Sequence, residues 1–251
     1  MLRKLSIKAR QMMRLITNNF DLVRLGANAD GIKQAYANLQ SEIELRRVSR
    51  GASKQFCQLS GKRHLKVHLG CGPDLRLGWI NIDLTPRAPA IPREGLIFVN
   101  HDLRDGLPLP FESCALIYSS HFFEHLELNH GVRLMRDCYK ALEPGGIFRI
   151  VLPDLPLLFS KYLGGDSSFF DLIEKMGVIQ EGEPGSKSLI DFINYGIYQF
   201  GEHKQIYDSE KLNLILKQIG FSSVAPSVHK DGMDPDVDLR RRYSFYTEAT
   251  K

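Results

Sequence analysis

Two glycines and one aspartate give this chain its clearest chemical signature. Gly70 and Gly72 follow the apolar run Leu65–Leu69, and Asp83 ends a second apolar run eleven residues further on. Glycine at the end of a strand lets a ligand approach the backbone where a Cβ would block it. A carboxylate at the end of the next strand suits the two hydroxyls of a ribose. The pattern therefore predicts a site for a cofactor that contains a nucleoside.

Further groups able to hold a ligand or accept a proton follow the later apolar runs. Each of them comes directly after a predicted strand or in a segment that can fold back over the site: Asp102, Leu103, Ser119, Ser120, His121, Glu124, His125, Asp154 and His203. Imidazole and carboxylate groups are the usual general bases in proteins. The third glycine of a dinucleotide-binding G-x-G-x-x-G motif is absent after Gly72, so the cofactor is of another kind.

The elements that position these residues alternate between strands and helices. Strands are predicted at the two apolar runs described above and at three later ones, Leu96–Val99, Ala115–Tyr118 and Ile147–Leu152. An amphipathic helix is predicted to bury Leu134, Cys138 and Leu142 before the stop at Glu143–Gly146. A last strand is predicted at Tyr243–Ala249. Such alternation is typical of an α/β fold with a mostly parallel sheet, whose ligands bind at the carboxyl ends of the strands.

Taken in order, the motifs resemble a known family. The set L-G-C-G, I-D, H-D-L, L-P-F, S-S-H-F-F-E-H-L, L-E-P-G-G and V-L-P-D-L is similar to that of the class I S-adenosylmethionine-dependent methyltransferases. Within that class it resembles most the predicted methyltransferases associated with glycan and cell-surface polysaccharide assembly. The resemblance extends from Lys62 to the C-terminus. It implies a Rossmann-like sheet with an antiparallel last strand and S-adenosylmethionine as the cofactor.

The resemblance also implies a role for each cofactor-binding residue. The turn Gly70-Cys71-Gly72 would present its backbone to the methionine part of the cofactor, and Cys71 would need only to be small. Asp83 would bind the ribose hydroxyls. The remaining predicted contacts are to adenine, by the Asp102 carboxylate and the Leu103 N–H, and to the methionine side, by Ser119 and Ser120. The alternative for both aspartates is a structural one, since acidic residues commonly begin turns.

An acceptor hydroxyl must lose a proton, so a general base is expected near the transferred methyl group. The candidates are His121, Asp154 and His203, and for each histidine a structural role is the alternative. His121, Glu124 and His125 are spaced so that one helix face would hold all three. A glutamate-histidine pair at this place binds a metal in small-RNA 3′-end methyltransferases, but E-H-L is also common in metal-free relatives. The sequence therefore predicts no metal.

Composition and chain ends set broader limits. The chain has 251 residues, 33 basic and 29 acidic side chains, and four cysteines without a C-x-x-C pair. Reduced thiols and a cytoplasmic location are expected. No stripe of basic and aromatic residues accompanies the predicted domain, so no nucleic-acid partner is expected. Residues 1–60 are predicted to form a helical extension and linker, and residues 61–251 the methyltransferase domain. Residues 155–201, rich in aromatics, are predicted to form a helical lid over the acceptor site.

The first residues read as a basic amphipathic helix. Apolar residues recur at three and four positions from Leu2 to Val23, and the polar side has no acidic residue before Asp21. Such a helix can lie on an anionic membrane surface, or its apolar stripe can pack on the catalytic domain or on a second subunit. A second helix is predicted from about Asp30 to Arg47, followed by a linker over 49–63.

Three functions are compatible with these features. The leading hypothesis is methylation, at oxygen, of a glycan or another small-molecule acceptor. A second is methylation of a quinone-like lipophilic acceptor, and a third is a non-catalytic scaffold with a methyltransferase fold.

Overall fold

The computed structural model describes residues 28–85, 95–166, 168, 171 and 188–251. The chain forms two compact units, Met1–Arg47 and Val48–Lys251. Helix α1, Asn28–Ser49, supplies the described part of the first unit and confirms the helix predicted near residues 30–47. Its side chains pair along the surface, for example Arg46 Nε with Glu42 Oε1 at 3.0 Å.

The predicted amphipathic segment 2–23 lies outside the described residues, so its contact with a membrane or a second subunit stays a prediction. Among the described helices, none combines the length and the apolar character needed to cross a bilayer.

A seven-stranded sheet organises the second unit. Its strands are β1 Leu65–Leu69, β2 Ile80–Asp83, β3 Ile97–Asn100, β4 Cys114–Ser120, β5 Leu142–Pro153, β6 Ser223–Ser227 and β7 Ser244–Thr250, in the order β3-β2-β1-β4-β5-β7-β6. The first five strands are parallel, and β7 runs antiparallel to both β5 and β6. This arrangement confirms the predicted α/β fold, a Rossmann-like, mostly parallel sheet with an antiparallel last strand.

Helices pack around the sheet. They are α2 Ala52–Cys57, α3 Leu128–Ala141, α4 Leu155–Leu163, α5 Leu189–Tyr198, α6 Ser209–Ile219 and α7 Asp238–Arg242, with 3₁₀ turns at Leu103–Asp105, Phe123–His125 and Gln199–Gly201. Helix α3 buries Leu134 and Cys138, as its sequence pattern predicts. Helix α6 begins where Asp208 Oδ1 accepts a hydrogen bond from Lys211 N at 2.8 Å, and it ends at the left-handed Gly220.

Two local predictions differ from the structure. The segment 49–63, expected to be a linker, contains helix α2, because Phe56 is buried and packs edge-on against His101 at 5.1 Å. Leu142, expected on the buried face of the amphipathic helix, begins β5 instead, because helix α3 ends at Ala141 and Leu142 is extended. The segment between Gly72 and β2 forms turns. There the Asn81 side chain takes the place of helical hydrogen bonds, since it accepts from Arg76 N at 2.8 Å and donates to Arg76 O at 2.9 Å.

Strand β6 was not predicted. It lies at the edge of the sheet and contains Pro226, which lacks the N–H that an interior strand needs. None of its five residues is buried, so it lacks the alternation of buried and exposed residues that marks a half-buried strand.

A buried ion network holds the antiparallel side of the sheet. Arg149 of β5 is fully buried, and its guanidinium binds the Asp234 carboxylate, Glu248 Oε1 at 2.8 Å and Ser227 Oγ at 2.9 Å. Lys230 also donates to Glu248 Oε1, at 2.5 Å. Two cations thus match two carboxylates, and the network joins β5, β6, β7 and the loop after β6.

We expect Arg149→Met to lower the free energy of unfolding by about 3–5 kcal/mol, because the buried Asp234 would lose its counterion. Urea unfolding followed by circular dichroism measures this change. Lys230→Met is the matched control: Lys230 is partly exposed and should contribute at most about 1 kcal/mol. Equal, small effects of both substitutions would contradict a structural role for the network.

Candidate active site

A cavity of about 860 Å³ opens at the carboxyl ends of the parallel strands. Strand register brings these ends level, since Leu69 pairs with both Ile82 and Ser119. Most of the predicted site residues line this one cavity: Gly70, Cys71, Gly72, Asp83, Ser120, His121, Asp154 and His203. Asp102, Leu103 and Ser119 are buried but are not part of its lining.

The two glycines of the first turn have different tasks. Both are left-handed, with φ of 59° at Gly70 and 51° at Gly72. A Cβ at Gly70 would lie 2.3 Å from Cδ2 of Phe122, so here a ring of the protein, and not a ligand, makes the close approach. A Cβ at Gly72 would meet nothing within 4 Å. Gly72 therefore leaves space for a ligand, whereas Gly70 accommodates Phe122.

Two backbone N–H groups fix the Asp83 carboxylate beside this turn. Its Oδ2 accepts a hydrogen bond from Gly72 N at 2.5 Å, and its Oδ1 accepts one from Leu84 N at 2.6 Å. Burial raises the pKa of Asp83, and the two N–H groups oppose this rise. Each oxygen has a further lone pair, so the carboxylate can also accept bonds from ribose hydroxyls. The open backbone at Gly72 and this fixed acceptor fit a nucleoside cofactor.

Within the described residues, the Asp102 carboxylate accepts hydrogen bonds from its neighbour Arg104. Its Oδ1 accepts from Arg104 N at 2.9 Å, and its Oδ2 accepts from the Arg104 guanidinium at 2.8 Å. The turn-starting alternative is thus realised at this residue. An adenine amine would have to share the carboxylate with Arg104. The adenine contacts of Asp102 and Leu103 stay predictions.

The remaining cofactor-side residues are small and buried. Ser119 lies within β4, and Ser120 ends it at the cavity. Cys71 N donates to Ile82 O at 3.2 Å, which ties the glycine turn to β2. Burial raises the pKa of the Cys71 thiol well above its ordinary value, so the thiol stays protonated and unreactive.

His121 stands where β4 ends. It is left-handed, with φ of 51°, and only Phe123–His125 form a 3₁₀ turn, so the expected common helix face from His121 to His125 is wrong. The chain bends here because the Phe122 ring packs on Gly70. His121 Nε2 lies 2.7 Å from Ser244 Oγ, and burial lowers the pKa of His121 to about 3. Its imidazole is therefore neutral near pH 7.

His203 reaches the site from a distant part of the chain. The carbonyl of Glu124 accepts hydrogen bonds from Lys204 N at 2.8 Å and Gln205 N at 3.1 Å, which draws this segment against the 3₁₀ turn. The rings of His125 and His203 consequently meet edge to face, with centroids 4.9 Å apart. Burial lowers the pKa of both histidines and raises the pKa of Glu124 to about 8.

Asp154 lines the cavity but also begins the predicted lid. Its Oδ1 accepts from Leu157 N at 3.0 Å and so caps helix α4. Helices α4 and α5 share a small core with Leu155, Leu158, Phe192 and Ile193. Aromatics of the lid divide between this core and the surface, where Phe200 is exposed. Residues 167, 169–170 and 172–187 of the predicted lid lie outside the described residues.

Sequence reasoning missed several residues that line the cavity. They are His68, Asp74, Tyr195, Gln199, Glu202 and Tyr243. Arg240, the first residue of the basic run 240–242, lines it too. The run itself was the available signal. His68 and Asp74 flank the glycine turn, whereas distant segments bring Tyr195, Gln199, Glu202 and Tyr243 to the site.

Comparison with known proteins supports the class of enzyme. A family model described as "Methyltransferase domain" matches residues 67–150, from β1 into β5. None of the curated proteins matches the chain. The family match supports a methyltransferase domain over these residues.

Solved structures that are similar to the chain include three methyltransferases. One from Archaeoglobus fulgidus, described as SAM dependent, is 16% identical, covers 82% of this chain and 94% of its own, and has a TM-score of 0.46. One from Thermotoga maritima, described as a possible histamine N-methyltransferase, is 14% identical, with 87% and 97% covered and a TM-score of 0.45. Phosphoethanolamine N-methyltransferase 2 of Haemonchus contortus, in complex with S-adenosyl-L-methionine, is 12% identical, with 81% and 52% covered and a TM-score of 0.42.

We expect Gly70→Ala to lower the free energy of unfolding by about 2 kcal/mol or more. The new Cβ would displace Phe122, and alanine is strained in the left-handed conformation of this residue. Gly61→Ala is the matched control, since Gly61 is also left-handed but has nothing within 4 Å of a Cβ. The control should show only the cost of the conformation, about 1 kcal/mol. Urea unfolding measures both, and equal losses would show that the Phe122 contact contributes nothing.

Proposed function

We propose that the protein is an S-adenosylmethionine-dependent methyltransferase that methylates a hydroxyl group of a glycan or of another small polar acceptor. One observation supports this most. A single cavity joins the glycine turn and Asp83 on one side with histidines, carboxylates and tyrosines from four later segments on the other. Cofactor and acceptor can therefore occupy the same enclosed space.

The cofactor half depends on groups that are fixed before a ligand arrives. Bound S-adenosylmethionine supplies an electrophilic methyl group on a sulfonium. Asp83 is oriented by the N–H groups of Gly72 and Leu84, so it needs little rearrangement to accept the ribose hydroxyls. The open face of Gly72 provides room beside it.

His121 is the group we propose to take the acceptor's proton. Its imidazole is neutral and lines the cavity, and its Nε2 lies 2.7 Å from the Ser244 hydroxyl. Glu124 Oε1 lies 3.6 Å from Nδ1, on the far side of the ring. Burial raises the pKa of Glu124 to about 8, and only its charged form would stabilise an imidazolium. Asp154 is a weaker candidate, because one of its oxygens already caps α4.

The acceptor half combines hydrogen-bonding and aromatic side chains. Tyr195, Gln199, Glu202, Arg240 and Tyr243 line the cavity from the lid and from the segment before β7. A sugar presents hydroxyls around its rim and C–H groups on its faces, so such a mixture suits it. A quinone-like acceptor would gain less from the charged groups. The resemblance of the motifs to glycan-associated methyltransferases agrees with this choice.

Incubation with methyl-labelled S-adenosylmethionine tests the proposal. The full chain is mixed separately with an oligosaccharide fraction and a lipid fraction of a cell extract, and mass spectrometry locates the label. We expect a labelled methoxy group on an oligosaccharide. Label only in a lipid or quinone would overturn the glycan assignment. Cofactor binding without label in either fraction would favour a non-catalytic scaffold.

We expect Asp83→Ala to weaken the binding of S-adenosylhomocysteine by about 10- to 100-fold, the usual effect of losing a charged hydrogen-bond partner. Isothermal titration calorimetry measures the affinity directly. Asp231→Ala provides the control, since this side chain is highly exposed and is not among the residues that line the cavity. A folded Asp83→Ala protein with the affinity of the unchanged protein would remove Asp83 from the cofactor site.

We expect His121→Asn to lower turnover by about 10²- to 10⁴-fold, because the general base is lost, and to leave S-adenosylhomocysteine affinity unchanged. Asparagine tolerates the left-handed conformation of this residue. His64→Asn is the matched control, because His64 is also left-handed, with φ of 55°, but is exposed and is not among the residues that line the cavity. Label incorporation and calorimetry are measured on both variants. Full turnover in His121→Asn would assign the base elsewhere.

A further inference from the structure

Three side chains beside the cavity form a cluster that methyl transfer alone does not explain. Glu124, His125 and His203 each offer one potential metal-ligand atom, and these atoms all lie within 4.8 Å of one another. Glu124 is 3% exposed. Within the described part of the chain, neither of its carboxylate oxygens has a hydrogen-bond partner, and the same is true of His203 Nε2. Buried groups of this kind are costly unless something binds them.

The fold orients these groups toward one another. Glu124 O accepts hydrogen bonds from Lys204 N and Gln205 N, which fixes His203 against the 3₁₀ turn. His203 Nδ1 lies 3.0 Å from Gly196 O, so it must carry the proton and donate it. The lone pair is then on Nε2, the nitrogen left without a partner. A backbone carbonyl that fixes a histidine tautomer in this way is typical of metal sites.

Protonation of Glu124 would not resolve the arrangement. A neutral carboxyl group is still a hydrogen-bond donor and acceptor, and within the described residues neither of its oxygens has a partner. His121 Nδ1, 3.6 Å from Glu124 Oε1, is beyond hydrogen-bond distance. A bound cation would satisfy Glu124 and His203 together.

We propose that Glu124, His125 and His203 bind a divalent transition-metal cation, such as Zn²⁺. One carboxylate and two imidazoles are a common ligand set for Zn²⁺ and for other metals of the first transition row. Bond lengths of about 2.0–2.2 Å require ligand atoms roughly 3–4.4 Å apart, so the cluster has to close only slightly. Three protein ligands leave a coordination position open.

The open position would face the cavity, since His125 and His203 both belong to its lining. There a cation could bind the acceptor hydroxyl and lower its pKa, which eases the loss of the proton. This role depends on the proposed function, whereas binding of the cation does not. The sequence predicted no metal from E-H-L alone, and only the fold brings His203 to that motif.

Calorimetric titration of the full chain with Zn²⁺, after treatment with a chelator and dialysis, tests the site. We expect one equivalent to bind. Glu124→Gln and His203→Gln should each weaken binding by at least about 10-fold. Glu127→Gln, three residues after Glu124 and exposed, should bind Zn²⁺ as the unchanged protein does. Circular dichroism confirms folding, and either cluster variant suffices if the other does not fold.

Titration of the same samples with S-adenosylhomocysteine separates this inference from the proposed function. If S-adenosylhomocysteine binds and Zn²⁺ does not, the metal site is wrong and the cofactor site stands. Zn²⁺ bound with equal affinity by all variants would also overturn the site, because the ion would then lie elsewhere. Zn²⁺ bound as expected without S-adenosylhomocysteine would leave the metal site in place and contradict the methyltransferase proposal.

Discussion

The contact between Gly70 and Phe122 is the constraint on which the site depends. Gly70 has no Cβ, so the Phe122 ring can lie against the first turn of the sheet. That contact bends the chain directly after β4 and leaves His121 left-handed at the cavity. The bend also turns the Glu124 carbonyl toward residues 204 and 205, which brings His203 to the site. The absence of a Cβ at Gly70 thus links the geometry of the glycine turn to the positions of His121 and His203.

The sequence allowed the central sheet and one edge of the site to be predicted, because both follow from local patterns. Apolar runs mark β1 to β5, and parallel strands place the residues that follow them, such as Gly72 and Asp83, at a common edge. Patterns of this kind could not reveal β6, whose proline and serines suit only an edge strand. They also could not reveal the pairing of Asp102 with Arg104 or the approach of His203 to Glu124, since these depend on geometry and on contacts between distant segments.

Burial decides the chemistry of the ionisable groups around the cavity. It keeps His121 neutral and raises the pKa of Glu124 to about 8, so neither behaves as it would in water. Burial also raises the pKa of Asp83, but two backbone donors oppose this rise and favour the charged form. The cofactor side is therefore a fixed acceptor, while the acceptor side gathers groups whose charge can change when a proton or a cation arrives. This asymmetry is what a methyl transfer to a hydroxyl would require.

The Arg149 network has a consequence for the behaviour of the protein in different buffers. Mobile ions screen charges that are in contact with solvent, but they hardly reach a guanidinium enclosed between strands. The ion pairs of Arg149, which join β5, β6, β7 and the loop after β6, should consequently persist at high ionic strength. The pair of Lys161 and Asp166, at the end of helix α4, faces solvent and should weaken under the same conditions. Salt therefore offers a way to loosen the end of the lid helix while the sheet beneath it stays intact.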